Sequence, residues 1–456
     1  MSQQKTILLP ILFGLTLRNY LRTGFLDEIE AAGHRLVVLL PDPEIDGLRE
    51  EFAPRGVTFE TYPPAEPSDW EKRLKDLRDV RFKRKHPLLV LEYKEQEMKE
   101  LSWNRWFLNH KVLGPLLPLL PQPVLDRMYE RAHATRTVDA LWDRVRPDLL
   151  VSTNSFFWEE LPLMAKARAT RTPVFGMIHS WDNLTSKTCL PYHCDRIGVW
   201  NETMFRELAH FYPGWETSAV ITGVPQFDYY ASISKTGKPR DVFLKELDLD
   251  PSLPLISYTT VPDKISPACF HDVRLLLEAI KDGQLPRSNV LVRFHQTGNM
   301  EPFKALGHFP NLVVEKPGRM NAKMKDFYNP TQADMIHFAD TLRHSQCTIN
   351  TRSTVSVDAS FFDVPIVNPG ADFSPGGPKD RHVRDLYLWE HYLPIVASGG
   401  VEVAGTPTTY IQAVRRSLEH LEYRREGRVR LKAMFEGPEP GRSAHRLARE
   451  VLSLLG

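Results

Sequence analysis

Short apolar runs alternate with helical stretches from the start of the chain. In the first half these runs cover residues 7–13, 35–40, 57–61, 148–152, 173–179 and 196–200. A turn or a helix follows each run, which is the pattern of βα units around a parallel sheet buried on both faces. Residues 25–32 have a helical pattern that stops at Gly33 and returns the chain to the second run. The pattern predicts a Rossmann-like first domain.

A polar stretch rich in Ser, Lys, Gly and Pro at residues 231–240 separates this half from a second one. The second half has predicted strands at residues 255–259, 289–294, 312–315, 346–350 and 365–368. From Pro407 onward the pattern is helical and rich in arginine, which suits C-terminal helices that cross back to the first domain. A chain of 456 residues is also too long for one compact core. We therefore expect an α/β protein with a first Rossmann-like domain at 1–230 and a second Rossmann-like domain at 231–456.

The alternation of short apolar runs with helical stretches is interrupted at residues 68–130. These residues predict a helical, basic insertion in the first domain. The insertion contains a basic cluster at 81–86 and an apolar segment at 112–121, where three prolines forbid a long regular helix. Two interpretations stay open. Cations and large apolar side chains suit contact with an anionic membrane surface. In the more ordinary interpretation, the leucines pack on the domain and the lysines are solvated.

Composition narrows the classes of function. Hydrophobic residues make up 42% of the chain and charged residues 25%, and the net charge of +1 argues against a nucleic-acid partner bound by bulk electrostatics. Four scattered cysteines suit a reducing cytoplasm better than a disulfide framework. The first apolar run is too short for a signal peptide, and no window holds the ~18 apolar residues of a membrane span. We expect a cytoplasmic protein that is peripheral on the inner membrane face if the insertion contacts lipid.

A candidate anion site lies in the second half, at the end of the predicted strand 346–350. We expect Thr351, Arg352, Ser353 and Thr354 to form a turn in which hydroxyls cap the next helix. The free amides and positive end of that helix would bind a nucleotide diphosphate, and Arg352 would add a bidentate contact. A plain helix cap explains the same letters, so both interpretations stay open. Lys264 and Asp372 are weaker candidates on neighbouring loops.

This segment resembles the C-terminal domain of GT-B glycosyltransferases, in which a strand, a Ser-Thr turn, a helix and a second strand bracket the donor phosphates. Residues 290–295, Val-Leu-Val-Arg-Phe-His, and residues 388–404 are similar to further segments of the same families, in the same order. The resemblance implies a two-lobed fold with an interlobe cleft, an acceptor domain at 1–230 and a nucleotide-sugar donor domain at 231–456. It implies a nucleotide-sugar co-substrate without another cofactor. It also implies that Arg293 and His295 lie near the donor.

The most distinctive motif of the first half is residues 175–187, Phe-Gly-Met-Ile-His-Ser-Trp-Asp-Asn-Leu-Thr-Ser-Lys. A buried strand would deliver His179, Trp181, Asp182 and Asn183 to its carboxyl end. The motif is similar to a stretch of bacterial cell-surface glycosyltransferases. Glycerophosphotransferases place a histidine there in a His-Gly-Thr-Pro context, but here Ser and Trp replace Gly and Thr.

Transfer with inversion needs a general base, and His179 and Asp182 are the two candidates. A structural role is the alternative for both, since Asp182 and Asn183 also suit an Asx turn. We expect Gly14, Thr16 and Asn154, which follow other predicted strands, to contact the acceptor together with Trp181 and Asn183.

The sequence thus predicts a glycosyltransferase that moves a sugar from a nucleotide sugar to a glycan or lipid-linked acceptor for a surface polysaccharide or glycolipid. No Asp-x-Asp element ends a convincing strand, so we expect no metal. A glycerophosphotransferase of the teichoic-acid type, a nucleotide-sugar 2-epimerase and a non-catalytic nucleotide-sugar-binding module remain alternatives. No GxGxxG fingerprint follows the first strand, which disfavours an NAD enzyme.

Overall fold

A computed structural model describes residues 3–42, 45, 47–133, 138–262, 268–307, 309–320, 324, 326, 328–374 and 382–456. The chain divides into two compact units. Unit 1 consists of Met1–Gln226, Lys323–Asp326 and Gly437–Gly456, and unit 2 of Phe227–Ala322 and Phe327–Glu436.

Unit 1 is built on a seven-stranded parallel sheet. Its strands are β1 (Thr6–Pro10), β2 (Arg35–Leu40), β3 (Thr58–Thr61), β4 (Leu149–Ser152), β5 (Val174–Met177), β6 (Arg196–Val199) and β7 (Ala219–Ile221). They lie in the order β3-β2-β1-β4-β5-β6-β7. Every residue of β4 and β5 is buried, as a sheet covered by helices on both faces requires. The strand order reverses between β1 and β4, which is the switch point where doubly wound sheets bind ligands.

Helices connect these strands and form the insertion. They are α1 (Gly14–Leu21), α2 (Gly24–Ala31), α3 (Leu48–Phe52), α4 (Asp69–Lys85), α5 (Leu89–Leu101), α6 (Trp103–Phe107), α7 (Gln122–Ala132), α8 (Asp139–Val145), α9 (Leu161–Thr170), α10 (Asn183–Ser186) and α11 (Glu202–Phe211). After β7, α12 (Pro225–Thr236) begins in unit 1 and continues into unit 2 at Phe227. The insertion comprises α4 to α7. Its α4 begins at a capping box in which Ser68 and Glu71 satisfy each other's backbone amides.

The proline-rich part of the insertion contains no long regular helix, as predicted. A π-helical turn over Leu108–Leu113 leads into a 3-10 helix over Gly114–Leu119. Leu117 is buried, but Leu116 is 55% exposed and Leu119 80%. The interpretation in which these leucines pack on the domain is therefore wrong for Leu116 and Leu119. No helix among the described residues is long and apolar enough to cross a bilayer.

Unit 2 is built on a second parallel sheet. Its strands are β8 (Leu255–Thr259), β9 (Asn289–Arg293), β10 (Leu312–Glu315), β11 (Arg319–Met320), β12 (Tyr328–Asn329), β13 (Cys347–Asn350), β14 (Ile366–Pro369) and β15 (Val401–Ala404). Six strands follow the order β10-β9-β8-β13-β14-β15, and β11 and β12 form a separate antiparallel pair. The switch point lies between β8 and β13. Its helices are α13 (Arg240–Glu246), α14 (Cys269–Lys281), α15 (Gln332–His344), α16 (Val355–Ser360), α17 (His382–Leu386), α18 (Leu393–Ala397), α19 (Pro407–Glu419) and α20 (Arg425–Phe435).

The last helix, α21 (Ser443–Leu452), belongs to unit 1 and packs on α2. Its His445 lies 2.7 Å from Glu28 on α2. Gly24 at the start of α2 makes this approach possible, because a Cβ there would come within 2.7 Å of the His445 ring. The two parallel sheets confirm the predicted fold class of two Rossmann-like units.

Candidate functional site

Three adjacent strands of unit 1 bring most of the first-half candidates to one edge of the sheet. Gly14 and Thr16 follow β1, Asn154 follows β4, and residues 179–183 follow β5. Because β1, β4 and β5 are neighbours and parallel, their carboxyl ends meet at the switch point. The Phe13 ring lies 6.0 Å from the His179 ring. The structure therefore places these candidates in one region of unit 1.

His179 lies just beyond β5, in a setting that keeps its imidazole neutral. Burial lowers the pKa of His179 to about 4, the nearby Asp182 carboxylate opposes this shift, and Arg18 and Lys187 add to it. A neutral imidazole has a lone pair that accepts a proton. The Asp182 carboxylate would stabilise the imidazolium that results.

Asp182 organises the turn that follows His179. Its carboxylate accepts hydrogen bonds from the hydroxyls of Ser180 at 2.5 Å and Ser186 at 2.6 Å. The side-chain nitrogen of Asn183 donates to the same carboxylate at 3.3 Å. The side-chain oxygen of Asn183 accepts from the backbone amide of Ser180 at 3.1 Å. Asn183 is thus engaged within the turn, as the Asx-turn alternative states. Trp181 is buried and exposes only 8% of its surface.

The candidates after β1 and β4 lie deeper than the sequence suggests. Thr16 and Asn154 are buried, and among the described residues their side-chain polar atoms have no hydrogen-bond partner. The backbone amides of Gly14 and Leu15 donate to the Asp326 carboxylate at 2.9 and 3.3 Å. The start of α1 therefore already holds an anion, in the place where helix ends favour negative charge.

Glu160, which was not predicted from the sequence, stabilises the loop after β4. The hydroxyls of Ser152 and Thr153 donate to its carboxylate at 2.8 and 2.7 Å. Burial raises the pKa of Glu160 to about 7, and these hydrogen bonds oppose the shift. The available signal was the pair of carboxylates Glu159 and Glu160 in the otherwise apolar stretch 156–164, just after a predicted strand. Its full burial makes it a support for Asn154 rather than a contact for substrate.

A cavity of about 510 Å³, which is the size of a small-molecule site, lies between the insertion and this edge of the sheet. Lys75 and Asp79 of α4 and Lys94 of α5 line one side. Phe157 and Lys187, from the loops after β4 and β5, line the other. The cavity thus shares its wall with the turn that carries His179 and Asp182.

In unit 2, a buried polar network shapes the loop after β13. The Asn350 carbonyl oxygen Oδ1 accepts from the Ser353 amide at 3.2 Å and from the Ser356 hydroxyl at 3.0 Å. Asn368 donates to the backbone carbonyl of Asn350 at 2.6 Å, and the Tyr392 hydroxyl donates to Asn368 at 3.1 Å. This network fixes the loop at the switch point beside β8.

The predicted capping at this loop is wrong in detail. Thr354 is the N-cap of α16, but its side chain makes no capping hydrogen bond. The Ser353 hydroxyl instead accepts from the Val355 amide at 3.3 Å, and the Ser353 amide is held by Asn350. Thr351 is buried, and its hydroxyl has no partner among the described residues. Two of the amides expected to bind phosphate therefore donate within the loop, which leaves Arg352 as its charged group.

Arg352 is held in an unusual conformation by residues that the sequence analysis did not single out. Its φ of 42° lies in the left-handed region that a non-glycine residue rarely adopts. Its guanidinium carbon lies 4.1 Å from the centroid of the Trp389 ring. Its Nη1 donates to His391 Nε2 at 2.9 Å. Both partners belong to the family-like segment at 388–404, so the resemblance was the signal that pointed to them.

No described interaction connects Arg352 with the other residues that were predicted to contact the donor. Arg293 is buried in an ion pair with Glu315, which also accepts from His337 at 2.9 Å, so its charge is neutralised inside unit 2. His295 Nδ1 accepts from the Thr297 amide at 3.2 Å. Asp372 accepts from the Ser374 amide at 2.8 Å in a tight turn. Lys264 lies outside the described residues.

No group of three or more His, Cys, Asp or Glu side chains that could hold a metal ion occurs in the described part of the chain. The expected independence from metals stays a prediction.

No protein-family model and no curated protein matches the sequence. Solved structures do match. The UDP-GlcNAc 2-epimerase from Neisseria meningitidis bound to UDP-GlcNAc has a TM-score of 0.55 and 10% identity over 99% of this chain and 100% of that one. A glycosyltransferase from Rickettsia africae has a TM-score of 0.50 and 8% identity over 100% and 98%. A variant of the wall teichoic acid polymerase TagF has a TM-score of 0.52 and 10% identity over 99% and 89%. At these identities the likeness shows the fold, which is GT-B.

Proposed function

We propose that the chain is a glycosyltransferase that moves a sugar from a nucleotide sugar to a glycan or lipid-linked acceptor, with inversion and without a metal. The observation that carries this proposal is the cavity beside the His179 turn. A transferase needs a site for a second substrate, whereas an epimerase rearranges a single one. The pathway would be the synthesis of a surface polysaccharide or glycolipid in the cytoplasm.

The donor half of the proposal rests on unit 2. The similar epimerase from Neisseria meningitidis is bound to UDP-GlcNAc, which supports a nucleotide sugar as the ligand of this fold. Arg352 lies at the carboxyl edge next to the switch point, where such sheets bind nucleotides. Its planar guanidinium suits a bidentate contact with a diphosphate.

The acceptor half rests on unit 1. The acceptor hydroxyl would attack the anomeric carbon of the donor while the bond from that carbon to the diphosphate oxygen breaks. His179 would take the hydroxyl proton, and Asp182 would stabilise the imidazolium. The nucleoside diphosphate leaves with its negative charge, which Arg352 would neutralise.

A nucleotide-sugar 2-epimerase is the second candidate, because solved epimerases share the fold over nearly the whole chain. Incubation of the chain with UDP-GlcNAc in D₂O separates the two reactions. Inversion at a carbon that carries hydrogen exchanges that hydrogen with solvent, so an epimerase would place deuterium at C2. A transferase releases UDP only when an acceptor takes the sugar, and it leaves the sugar of the remaining donor unlabelled.

A thermal-shift screen identifies the donor base. We expect one of UDP, GDP, CDP, TDP and CMP to stabilise the chain by about 2.7 kcal/mol at 100 times its dissociation constant. The responding nucleotide names the donor class. If none of the five nucleotides shifts the melting temperature although the ligand-free chain melts cooperatively, the donor half of the proposal is contradicted. That result favours a protein without nucleotide chemistry.

We also propose that the insertion contacts a membrane surface. Large apolar side chains are exposed on it, and residues 101–121 contain Lys111 but no acidic residue, whereas the charge of Arg105 is paired with Asp76 of α4. Such a surface suits insertion into an anionic interface. This site would bring the chain to a lipid-linked acceptor. The exposed set comprises Leu101, Trp103, Phe107, Val112, Leu116 and Leu119.

Replacing Trp103 and Leu119 together by serine should weaken binding to vesicles that contain anionic lipid by about 10-fold or more, because two side chains no longer enter the interface. Co-sedimentation with vesicles measures the effect. The matched control is Val429→Ser on α20, which removes another exposed apolar side chain from unit 2. Equal binding of all three proteins would contradict membrane contact through the insertion.

A further inference from the structure

The cavity between the insertion and the β4 and β5 loops is lined by apolar side chains and by charged side chains of both signs. The apolar side chains are Val80, Leu91, Met98, Phe156 and Phe157. They come from both the insertion and the loop after β4, so a ligand here would touch both. At about 510 Å³ the cavity has the size of small-molecule sites.

Most charges on the wall are already paired. Lys75 forms an ion pair with Asp79, and Lys83 forms one with Glu95. Asp76, which also lines the cavity, is held by Arg105 at 2.6 Å. Each of these three ion pairs joins charges of opposite sign at the cavity.

Lys94 differs from the paired lysines, because it donates its described hydrogen bond to a neutral group, the backbone carbonyl of Ser186. Burial lowers the pKa of Lys94 to about 8, the second cause is the positive charge of Lys187, and Asp182 and Asp79 oppose the shift. Lys94 and Lys187 both line the cavity, where the Lys187 ammonium lies 5.0 Å from the centroid of the Phe157 ring. An anion between them would relieve the repulsion between the two positive charges.

The same contacts connect the cavity to the candidate base. Lys94 holds the carbonyl of Ser186, and the Ser186 hydroxyl donates to the Asp182 carboxylate at 2.6 Å. A ligand bound by Lys94 thus lies beside the turn that carries Asp182 and His179. An acceptor held by an anionic group at this point would have its hydroxyl end near the base.

We propose that this cavity binds the acceptor through a phosphate at Lys94 and Lys187 and an apolar chain along the Phe156 and Phe157 wall. The acceptor is then a phosphorylated amphiphile. The inference rests on the proposed function, since it names the acceptor class for that reaction.

Calorimetric titration of the full chain with decyl phosphate, decanol and inorganic phosphate tests this inference. We expect decyl phosphate to bind at least 10-fold more tightly than either other probe, because only decyl phosphate carries both a phosphate and an apolar chain. Equal binding of decanol would overturn the role of the phosphate. Equal binding of inorganic phosphate would overturn the role of the apolar wall.

Two variants test the residues. Lys94→Gln and Lys187→Gln should each weaken the binding of decyl phosphate by about 10-fold, as expected for the loss of one charged donor. The binding of decanol should stay unchanged. The control is Lys99→Gln, because Lys99 is exposed on the same helix and lies over the Trp106 ring, outside the cavity wall. If Lys94→Gln melts at a lower temperature, Lys187→Gln carries the test. If both variants bind decyl phosphate as tightly as the wild type, the assignment of the phosphate to Lys94 and Lys187 is wrong.

The nucleotide screen distinguishes this failure from that of the proposed function. A chain that binds a nucleotide but not decyl phosphate keeps its donor site and loses this inference. A chain that binds decyl phosphate at the lysines but no nucleotide keeps the cavity site and loses the transferase proposal.

Discussion

Replacing His179 by asparagine should lower kcat of the transferase by about 10²- to 10⁴-fold, the range expected when a general base is removed. Asparagine keeps a hydrogen-bonding group of similar size but cannot accept the proton. Nucleotide affinity should stay unchanged, because the candidate phosphate contact at Arg352 belongs to unit 2. Steady-state transfer assays and nucleotide titrations measure the two effects.

The pH dependence supplies a second readout for His179. Its pKa of about 4 means that the imidazole is neutral at pH 7 and becomes protonated only as the pH falls towards 4. The base is therefore present above this value and lost below it. We expect the acid limb of kcat/KM to fall at or below about pH 5 in the wild type and to vanish in His179→Asn.

A matched control and a rival assignment complete this test. His193→Asn changes an exposed histidine of unit 1 that packs on Trp215, and it should leave kcat unchanged. Asp182→Asn should lower kcat less than His179→Asn, because Asp182 only stabilises the imidazolium. If Asp182→Asn abolishes transfer while His179→Asn retains it, Asp182 is the base and our assignment is wrong.

The fold could be predicted from the sequence because buried parallel strands are continuous apolar runs. Eleven of the strands overlap a predicted run, including β3 and β10 at one edge of each sheet. The strands at the opposite edges, β7 and β15, were not predicted. β7 is three residues long and half-buried, and β15 is buried only at its two end residues. An edge strand has only one neighbour, so it needs less apolar surface and leaves a weaker signal.

The site could be predicted only as far as its residues follow the strands. His179 and Asp182 were found because they come directly after β5. Asp326 could not be, since it contacts Gly14 from 312 positions along the chain. In the loop after β13, the Asn350 side chain accepts a hydrogen bond from the Ser353 amide. The sequence does not show that this side chain points into the loop and not into solvent. A sequence shows which groups end a strand, but the donors and acceptors that remain for a ligand depend on packing.

Replacing Arg352 by alanine should lower kcat/KM for the nucleotide sugar by about 10²- to 10³-fold, as for the loss of one group that stabilises developing negative charge. The Ser353 and Val355 amides already donate within the loop, so they cannot replace the guanidinium. Part of the loss should appear as weaker nucleotide binding, because the ground-state diphosphate is also charged. Steady-state kinetics and nucleotide titration separate the two contributions.

Arg352→Lys separates charge from geometry. Lysine keeps the charge but lacks the plane that lies over Trp389 and the Nη1 donor that reaches His391. We expect Arg352→Lys to recover less than a tenth of the lost kcat/KM. The control is Arg415→Ala, which removes an exposed arginine of unit 2 that contacts only the backbone carbonyl of Gln284 in its described hydrogen bonds. If Arg352→Ala keeps wild-type nucleotide binding and kcat/KM, our assignment is wrong. Trp389 and His391 would then hold Arg352 for the stability of the loop, and the diphosphate would bind elsewhere.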